Sequence, residues 1–502
     1  MKHPYRDLIF AVAVLWVLIV GFHLLSALAG YPQYRDQHLG AALEYAKGSI
    51  DLLRPVIPGF NMNGSPTPQE LPLWQAFAAI LMKAFGSWWG WGNVASLLLF
   101  ATGLWPLYQI AEAWLGKRGA WWTLFLYLAQ PIVFFAAGWA STDGLSATLA
   151  VWFVYFAERM VRTGSWGLAL GAAVAGTLTA VTKLPFFFAV GLVAFCLTVD
   201  QNRRNLKRWV QLALVGLVSA VLFLLWTHYT EQCFSRGVYP VEDLHLSHMW
   251  RWYFGDMRFR SNPMNWIKGG WRALMGLFGS FVLAALGAWS FFSKRPKIGC
   301  FWLGAAAVTT LVFAHLVLAH RNYYLFYSPA VAFLMAGAFV RIEDQFRSPG
   351  KEIPAWVSLT ACGFVLLGTA QGLLGMEVVL GYDPYPKKIA ALIREHTSPG
   401  DKLLIWNGGW GGDMFLLSGR AGLTLHNNMG VLRDSKALAV LKSAGYNKLV
   451  LISDSPLLWA VQVANPSQTH LQRLVYREAA IGVDFSWPHL FENDDLVIEA
   501  IP

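Results

Sequence analysis

The sequence predicts a polytopic α-helical membrane protein of about eleven transmembrane helices that closes with a small α/β domain. Three observations lead there. Only 14% of the 502 residues are charged while 56% are hydrophobic, where a soluble protein carries about a quarter charged residues. Apolar runs near bilayer-spanning length recur from Leu8 to Met376. Beyond Met376 the pattern changes to short amphipathic helices alternating with short apolar strands. The 25 Trp and 33 Phe suit interfacial belts and lipid-facing helices. The net charge of +10 is modest for this length and reads as loop bias. With no zinc-finger, recognition-helix or P-loop pattern, nothing points to a nucleic-acid partner. Of the four Cys, Cys196, Cys300 and Cys362 lie in apolar runs and Cys233 in a polar loop, so no disulfide framework is implied.

In chain order, Leu8–Ala29 follows Lys2 and Arg6 and reads as a retained span, since no small-residue cleavage site precedes Tyr31–Arg35. Residues 30–92 form a first outer loop rich in Pro and Gly. Asp36 stands there just past the apolar run, at the boundary where an ionisable group is costly and worth suspecting of function. Leu73–Phe85 reads as an amphipathic interfacial helix, with Trp88, Trp89 and Trp91 as headgroup anchors. The further spans are Asn93–Trp114, Ala120–Ala137, Gly144–Met160, Trp166–Thr182, Leu184–Val199 and Trp209–Thr227, then Trp271–Phe292, Gly299–Ala319, Tyr323–Val340 and Ala355–Met376. The pair meeting at Lys183–Pro185 reads equally as one kinked span.

Threading these spans sets an orientation. Segments on the N-terminal side carry Lys2/Arg6, Lys117/Arg118, Arg159/Arg162, Arg203/Arg204/Lys207/Arg208, Lys294/Arg295/Lys297 and Arg341/Arg347/Lys351, whereas the short turns opposite carry only Lys183 and Arg321. The positive-inside rule then puts the N-terminus in the cytoplasm. Asp36, Glu70, Asp143, Lys183, His320 and Arg321 fall on the outer side, as in a protein of the bacterial inner (plasma) membrane. The predicted division is a membrane domain over 1–376, with a long outer loop at 228–270, and an outer-side α/β domain over 377–502. Within the latter, Pro386–His396 and Ala437–Ala444 read as helices and Lys402–Trp406 and Lys448–Ile452 as strands. The Gly-rich run Asn407–Gly412 lacks the GxGxxG spacing and reads as a tight turn.

The middles of the spans hold essentially no charged residues, which disfavours an ion-coupled transporter. What remains is an ionisable cavity at one membrane surface, suited to a substrate with a lipid tail and a polar head. A lipid or polysaccharide transporter and a non-catalytic scaffold are the competing readings.

Arg35-Asp36, Glu70-Leu71-Pro72-Leu73-Trp74, Pro131 with Thr142-Asp143, Thr182-Lys183-Leu184-Pro185 and His320-Arg321-Asn322-Tyr323-Tyr324 occur in an order that resembles the GT-C glycosyltransferases. The likeness is to the branch of protein O-mannosyltransferases, aminoarabinose lipid A transferases and lipopolysaccharide-core transferases, and covers about residues 8–376. There are departures: Asp36-Gln37 stands where many members have an acidic pair, Leu71 replaces a proline, and Ser141-Thr142 stands where an Arg often precedes the Asp. The resemblance implies a polyprenyl-phosphate sugar donor and an inverting transfer to a lipid, glycan or protein acceptor.

Glycosyl transfer passes through an oxocarbenium-like state, so it needs a carboxylate at the sugar and positive charge at the departing phosphate. Asp36 is the expected general base. Asp143 is expected to orient the acceptor or bind a metal, or else to cap the helix beginning at Gly144. Glu70 is expected as a second acid or donor contact, or as a favourable charge at the start of the interfacial helix. Lys183 and Arg321, with His320 and Tyr323 beside Arg321, are the expected donor-phosphate ligands, or the two bases are snorkelling anchors. In the outer loop, His245 and His248 at i, i+3 form with Asp243 an incomplete metal site. A divalent metal is therefore the one cofactor left open. An amphipathic segment on anionic headgroups explains the same Trp/Arg mixture.

Overall fold

A computed structural model describes residues 6–29, 34, 36–60, 66–235, 250–292, 296–346, 355–375, 385–406, 413–425, 434–452, 488–492 and 496–501. The chain divides into two compact units, one of Met1–Tyr34, Glu70–Tyr229 and Asp243–Gly381, the other of Arg35–Gln69, Thr230–Glu242 and Tyr382–Pro502. The segment Arg35–Gln69, read from the sequence as part of the membrane domain, thus packs with the C-terminal residues.

Along the chain, α1 (Arg6–Leu28) and α2 (Asp36–Lys47) precede α3 (Leu73–Phe85), α4 (Trp91–Thr102), α5 (Leu104–Leu128) and the short α6 (Pro131–Ala136). Next come α7 (Thr142–Thr163), α8 (Trp166–Thr182), α9 (Leu184–Asn202) and α10 (Leu206–Ser235). The short α11 (Trp250–Phe254) and α12 (Met257–Ser261) are followed by α13 (Pro263–Ala273), a π-helical turn (Leu274–Phe278) and α14 (Phe281–Phe292). The helical run closes with α15 (Lys297–Val312), α16 (Ala314–Ala319), a 3-10 turn (Arg321–Tyr327), α17 (Ser328–Gln345) and α18 (Ala355–Gly375).

The first unit is an integral-membrane helical body. In α1, Leu8, Leu15, Ile19, His23 and Ala27 bury along one stripe, yet the opposite side is apolar as well, with Phe10, Val17 and Leu25 exposed. A helix that is apolar all round requires a lipid solvent or a fully buried place. Among the described residues, six helices are long and apolar enough to cross a membrane, or seven if Pro263–Phe278 and Phe281–Phe292, bent by 88°, are one span. This is fewer than the eleven expected. Trp166–Thr182 and Lys297–Val312 are apolar but shorter, and α7 carries Asp143, Glu158, Arg159 and Arg162.

Several helices break where the sequence reads straight through. Trp271–Phe292 turns sharply after the π-helical residues at Gly279, whose φ is +71°. A Cβ there would lie 1.9 Å from the carbonyl oxygen of Gly368 on α18, so only glycine admits both the turn and the close approach. Gly299–Ala319 breaks at Phe313, between α15 and α16. Lys183 is a single extended residue (φ −153°, ψ 101°) between α8 and α9, which both pack on α7. Helix α3 has the expected bounds, but Trp74 is fully buried and its Nε1 donates to Ser96 Oγ at 2.8 Å. One face of this helix is therefore fixed to the body.

The second unit is built on a five-stranded sheet of order β2-β1-β3-β5-β4. Its strands are β1 (Lys402–Trp406), β2 (Ala421–Thr424), β3 (Tyr446–Ile452), β4 (His489–Glu492) and β5 (Leu496–Ala500). β2, β1 and β3 are parallel, whereas β5 runs antiparallel to β3 and to β4. Alternate residues face opposite ways. Leu403, Ile405, Val450 and Ile498 pack with α19 (Tyr385–His396) and α20 (Asp413–Ser418), while Leu404, Leu449, Leu451 and Val497 pack with α21 (Ser435–Ser443). The run Asn407–Gly412 lies outside the described residues.

Gly279→Ala should destabilise the membrane unit by roughly 1–3 kcal/mol, because the added methyl meets a backbone carbonyl. Gly21→Ala, with no atom within 4 Å of the new Cβ, should leave thermal unfolding in detergent unchanged. Equal melting temperatures for the two variants would contradict this packing.

Candidate active site

Three segments of the membrane unit meet at the Lys183 ammonium. Because Lys183 is extended, its side chain leaves the α8–α9 break and not a helix face. Its Nζ donates to Glu70 Oε1 at 2.6 Å and lies 3.2 Å from Asp143 Oδ1. The Tyr323 ring sits 5.5 Å away as a third neighbour. Lys183 is 5% exposed and Asp143 0%, and burial of these charges is tolerable only because each is paired.

Each carboxylate is held a second time. Asn322 Nδ2 donates to Asp143 Oδ1 at 2.8 Å, and the Ser141 hydroxyl donates to Asp143 Oδ2 at 3.0 Å. The Thr142 hydroxyl donates to Glu70 Oε2. The Leu71 N–H, one residue after Glu70, donates to the Val181 carbonyl at 3.0 Å and ties this stretch to the end of α8.

This arrangement overturns two of the alternatives for the acids. Ser141, not Asp143, caps α7, its side chain accepting from the Asp143 N–H. Asp143 lies two residues further on, in the first turn of α7 near the positive end of the helix dipole, with its carboxylate directed to Lys183 and Asn322. Glu70 does not lie in α3, which starts at Leu73 with no acid in its first turn. Its carboxylate serves Lys183 and Thr142.

The helix ends leading to the turn that carries His320, Arg321 and Tyr323 are held by two arginines. Arg260 donates to the carbonyls of Leu311 and Val312 at 2.8 Å each, and to those of Phe254 and Gly255. Arg272 donates to Leu318 and Ala319 at the end of α16. Both substitute for helical hydrogen bonds lost at the breaks, a need that is absolute in hydrocarbon. His320 is half-buried, with ring centroids 5.1 Å from Trp252 and 6.4 Å from Tyr323. Arg321 is exposed.

Glu70, Asp143, Lys183, His320 and Tyr323 are thus one connected group, with Arg321 adjoining. Asn322, Thr142 and Ser141 join it; the sequence motifs contained all three, but no site role was read for them. His245, His248 and the side chain of Asp36 lie outside the described residues. Among the described residues, no three His, Cys, Asp or Glu side chains stand together as metal ligands. The positive charge between Glu70 and Asp143 is supplied by Lys183, so the pair does not form an open divalent site.

The fold has counterparts among solved structures. ArnT from Cupriavidus metallidurans bound to undecaprenyl phosphate matches 99% of this chain and 97% of its own, with a TM-score of 0.60 and 15% identity. The same enzyme in the apo state matches 97% of this chain and 97% of its own, with the same TM-score and identity. The chain has the GT-C fold. A third GT-C structure, the Archaeoglobus fulgidus oligosaccharyltransferase tethered with an acceptor peptide containing the NVT sequon, matches 90% of this chain and 69% of its own, with a TM-score of 0.53 and 12% identity. No protein-family model and no curated protein matches the sequence. At these identities the likeness speaks for the GT-C fold and not for the substrate.

Lys183→Met should cost about 3–5 kcal/mol of stability, since it strands the fully buried Asp143 carboxylate beside the half-buried Glu70. Adding Asp143→Asn should recover part of that loss by removing their repulsion. Strictly additive losses in denaturant unfolding would show that the three groups are not coupled.

Proposed function

We propose that this chain is an integral-membrane glycosyltransferase that moves a hexosyl or pentosyl group, with inversion, from a polyprenyl-phosphate donor to an extracytoplasmic lipid, glycan or protein acceptor. The observation that carries the reading is the Glu70–Lys183–Asp143 group on a chain that has the GT-C fold from end to end. In one of the structures that this chain resembles, ArnT from Cupriavidus metallidurans, undecaprenyl phosphate is the bound lipid.

In this reading Asp36, the first residue of α2, takes the proton from the acceptor hydroxyl as its oxygen attacks the anomeric carbon. The sugar–phosphate bond breaks and the lipid phosphate leaves. Asp143 and Glu70, fixed by Lys183, Asn322 and Thr142, orient the reacting hydroxyls. Positive charge at Lys183 and Arg321, with His320 and Tyr323 beside them, stabilises the charge growing on the phosphate more than that of the intact donor. The shorter apolar helices and α7 complete about eleven spans. The site and the C-terminal domain then face outward from the bacterial inner membrane, which places the acceptor outside the cytoplasm.

Asp36→Asn should preserve folding and lower turnover by roughly two to four orders of magnitude. Release of labelled sugar from a polyprenyl-phosphate donor by purified protein in proteoliposomes measures this, and analysis of glycans and lipids in a strain lacking the gene identifies the acceptor. Near-normal turnover in Asp36→Asn would remove the residue from the base's role.

A further inference from the structure

We infer that Phe415 and Gly59 are positioning residues for the transfer, because they seat the segment that carries Asp36 on the sheet of the second unit. This rests on the reading of Asp36 as the general base. Helix α2 has only 12 residues, too few for a helix to hold its shape in isolation. Yet residues 37–43 are all buried, so packing must fix it.

The packing is specific. The chain at Gly59 forms a parallel bridge with Leu423, and the Gly59 carbonyl accepts from the Thr424 N–H at 2.8 Å, so this loop adds to the sheet beside β2. Gly59 has φ +81°, and a Cβ on it would lie 2.3 Å from Cε2 of Phe415. On the other edge of the same ring, a Cβ on Gly422 would lie 2.2 Å from Cε1. The Phe415 ring of α20 therefore sits between two glycines, one on β2 and one on the loop. Pro58, next to Gly59, carries the contact on to α2: a Cβ on Gly40 would lie 2.9 Å from Pro58 Cδ and 3.5 Å from Leu416 Cδ1. The loop is closed by Thr67, whose N–H donates to the Pro55 carbonyl at 2.7 Å and whose hydroxyl oxygen accepts from the Ile57 N–H at 2.9 Å. A side chain at position 59, or a smaller one at 415, would release the loop and with it α2.

The test compares full-length wild type, Gly59→Ala and Phe415→Leu in nanodiscs, by hydrogen exchange of α2 peptides and by turnover with and without Asp36→Asn. Exchange over 37–43 should rise on the order of tenfold in Gly59→Ala while β1 and β3 stay protected. Turnover should fall on the order of tenfold with Asp36 present and not fall further in the Asp36→Asn background, as residues acting through one group do. Phe415→Leu, the milder change, keeps the test open should Gly59→Ala fail to fold. Unchanged exchange in α2 for both variants overturns the inference, as does an equal loss of turnover in the Asp36→Asn background. If α2 loosens as expected but wild type transfers no sugar from a polyprenyl-phosphate donor, the seat stands and the catalytic reading fails.

Discussion

The membrane unit is arranged around one ammonium group. Lys183 gathers Glu70 from the stretch before α3, Asp143 from the first turn of α7, and itself from the α8–α9 break. None of the three charges is stable at its depth alone, since a buried unpaired charge costs several kcal/mol. Together they leave one formal negative charge, which Asn322, Ser141 and Thr142 spread over hydrogen bonds. The single extended residue at Lys183 follows from this arrangement, because a continuous helix would carry the side chain along its own face. Pro185, in the first turn of α9, helps end the previous helix there.

Broken helices bring the same difficulty at several places, since lost backbone hydrogen bonds must be replaced in a lipid environment. Arg260 and Arg272 replace them at the ends of α15 and α16, and the Thr369 hydroxyl does so for the Ala129 carbonyl at the end of α5. These two basic residues thus have a structural part. Their carbonyl contacts in turn fix the His320–Tyr323 turn beside Lys183.

Composition and hydropathy revealed the membrane character, and the order of motifs revealed the fold, because both depend on residues spread over the whole chain. The strand Lys402–Trp406, and Tyr446–Ile452 from Lys448 onward, were readable for the same reason: short apolar runs between amphipathic helices leave few alternatives. Of the eleven spans read from hydropathy, six or seven are long and apolar enough among the described residues, and hydropathy could not show a break such as the one at Gly279, which lies against the Gly368 carbonyl. Glu70, Asp143 and Lys183 were individually visible as costly charges at a membrane boundary. Their mutual pairing was not, because it depends on which helix ends meet. The membership of Arg35–Gln69 in the second unit was likewise hidden, as it arises from a strand edge and a ring seat far along the chain.

Recognition of a lipid phosphate underlies the proposed transfer. Native mass spectrometry of the detergent-purified chain, titrated with undecaprenyl phosphate or with undecaprenol, tests it. One phosphate lipid should bind per chain, and the alcohol at least about tenfold more weakly, since charge-assisted contacts to the phosphate are lost. Equal binding of the two lipids, or binding of neither, would contradict it.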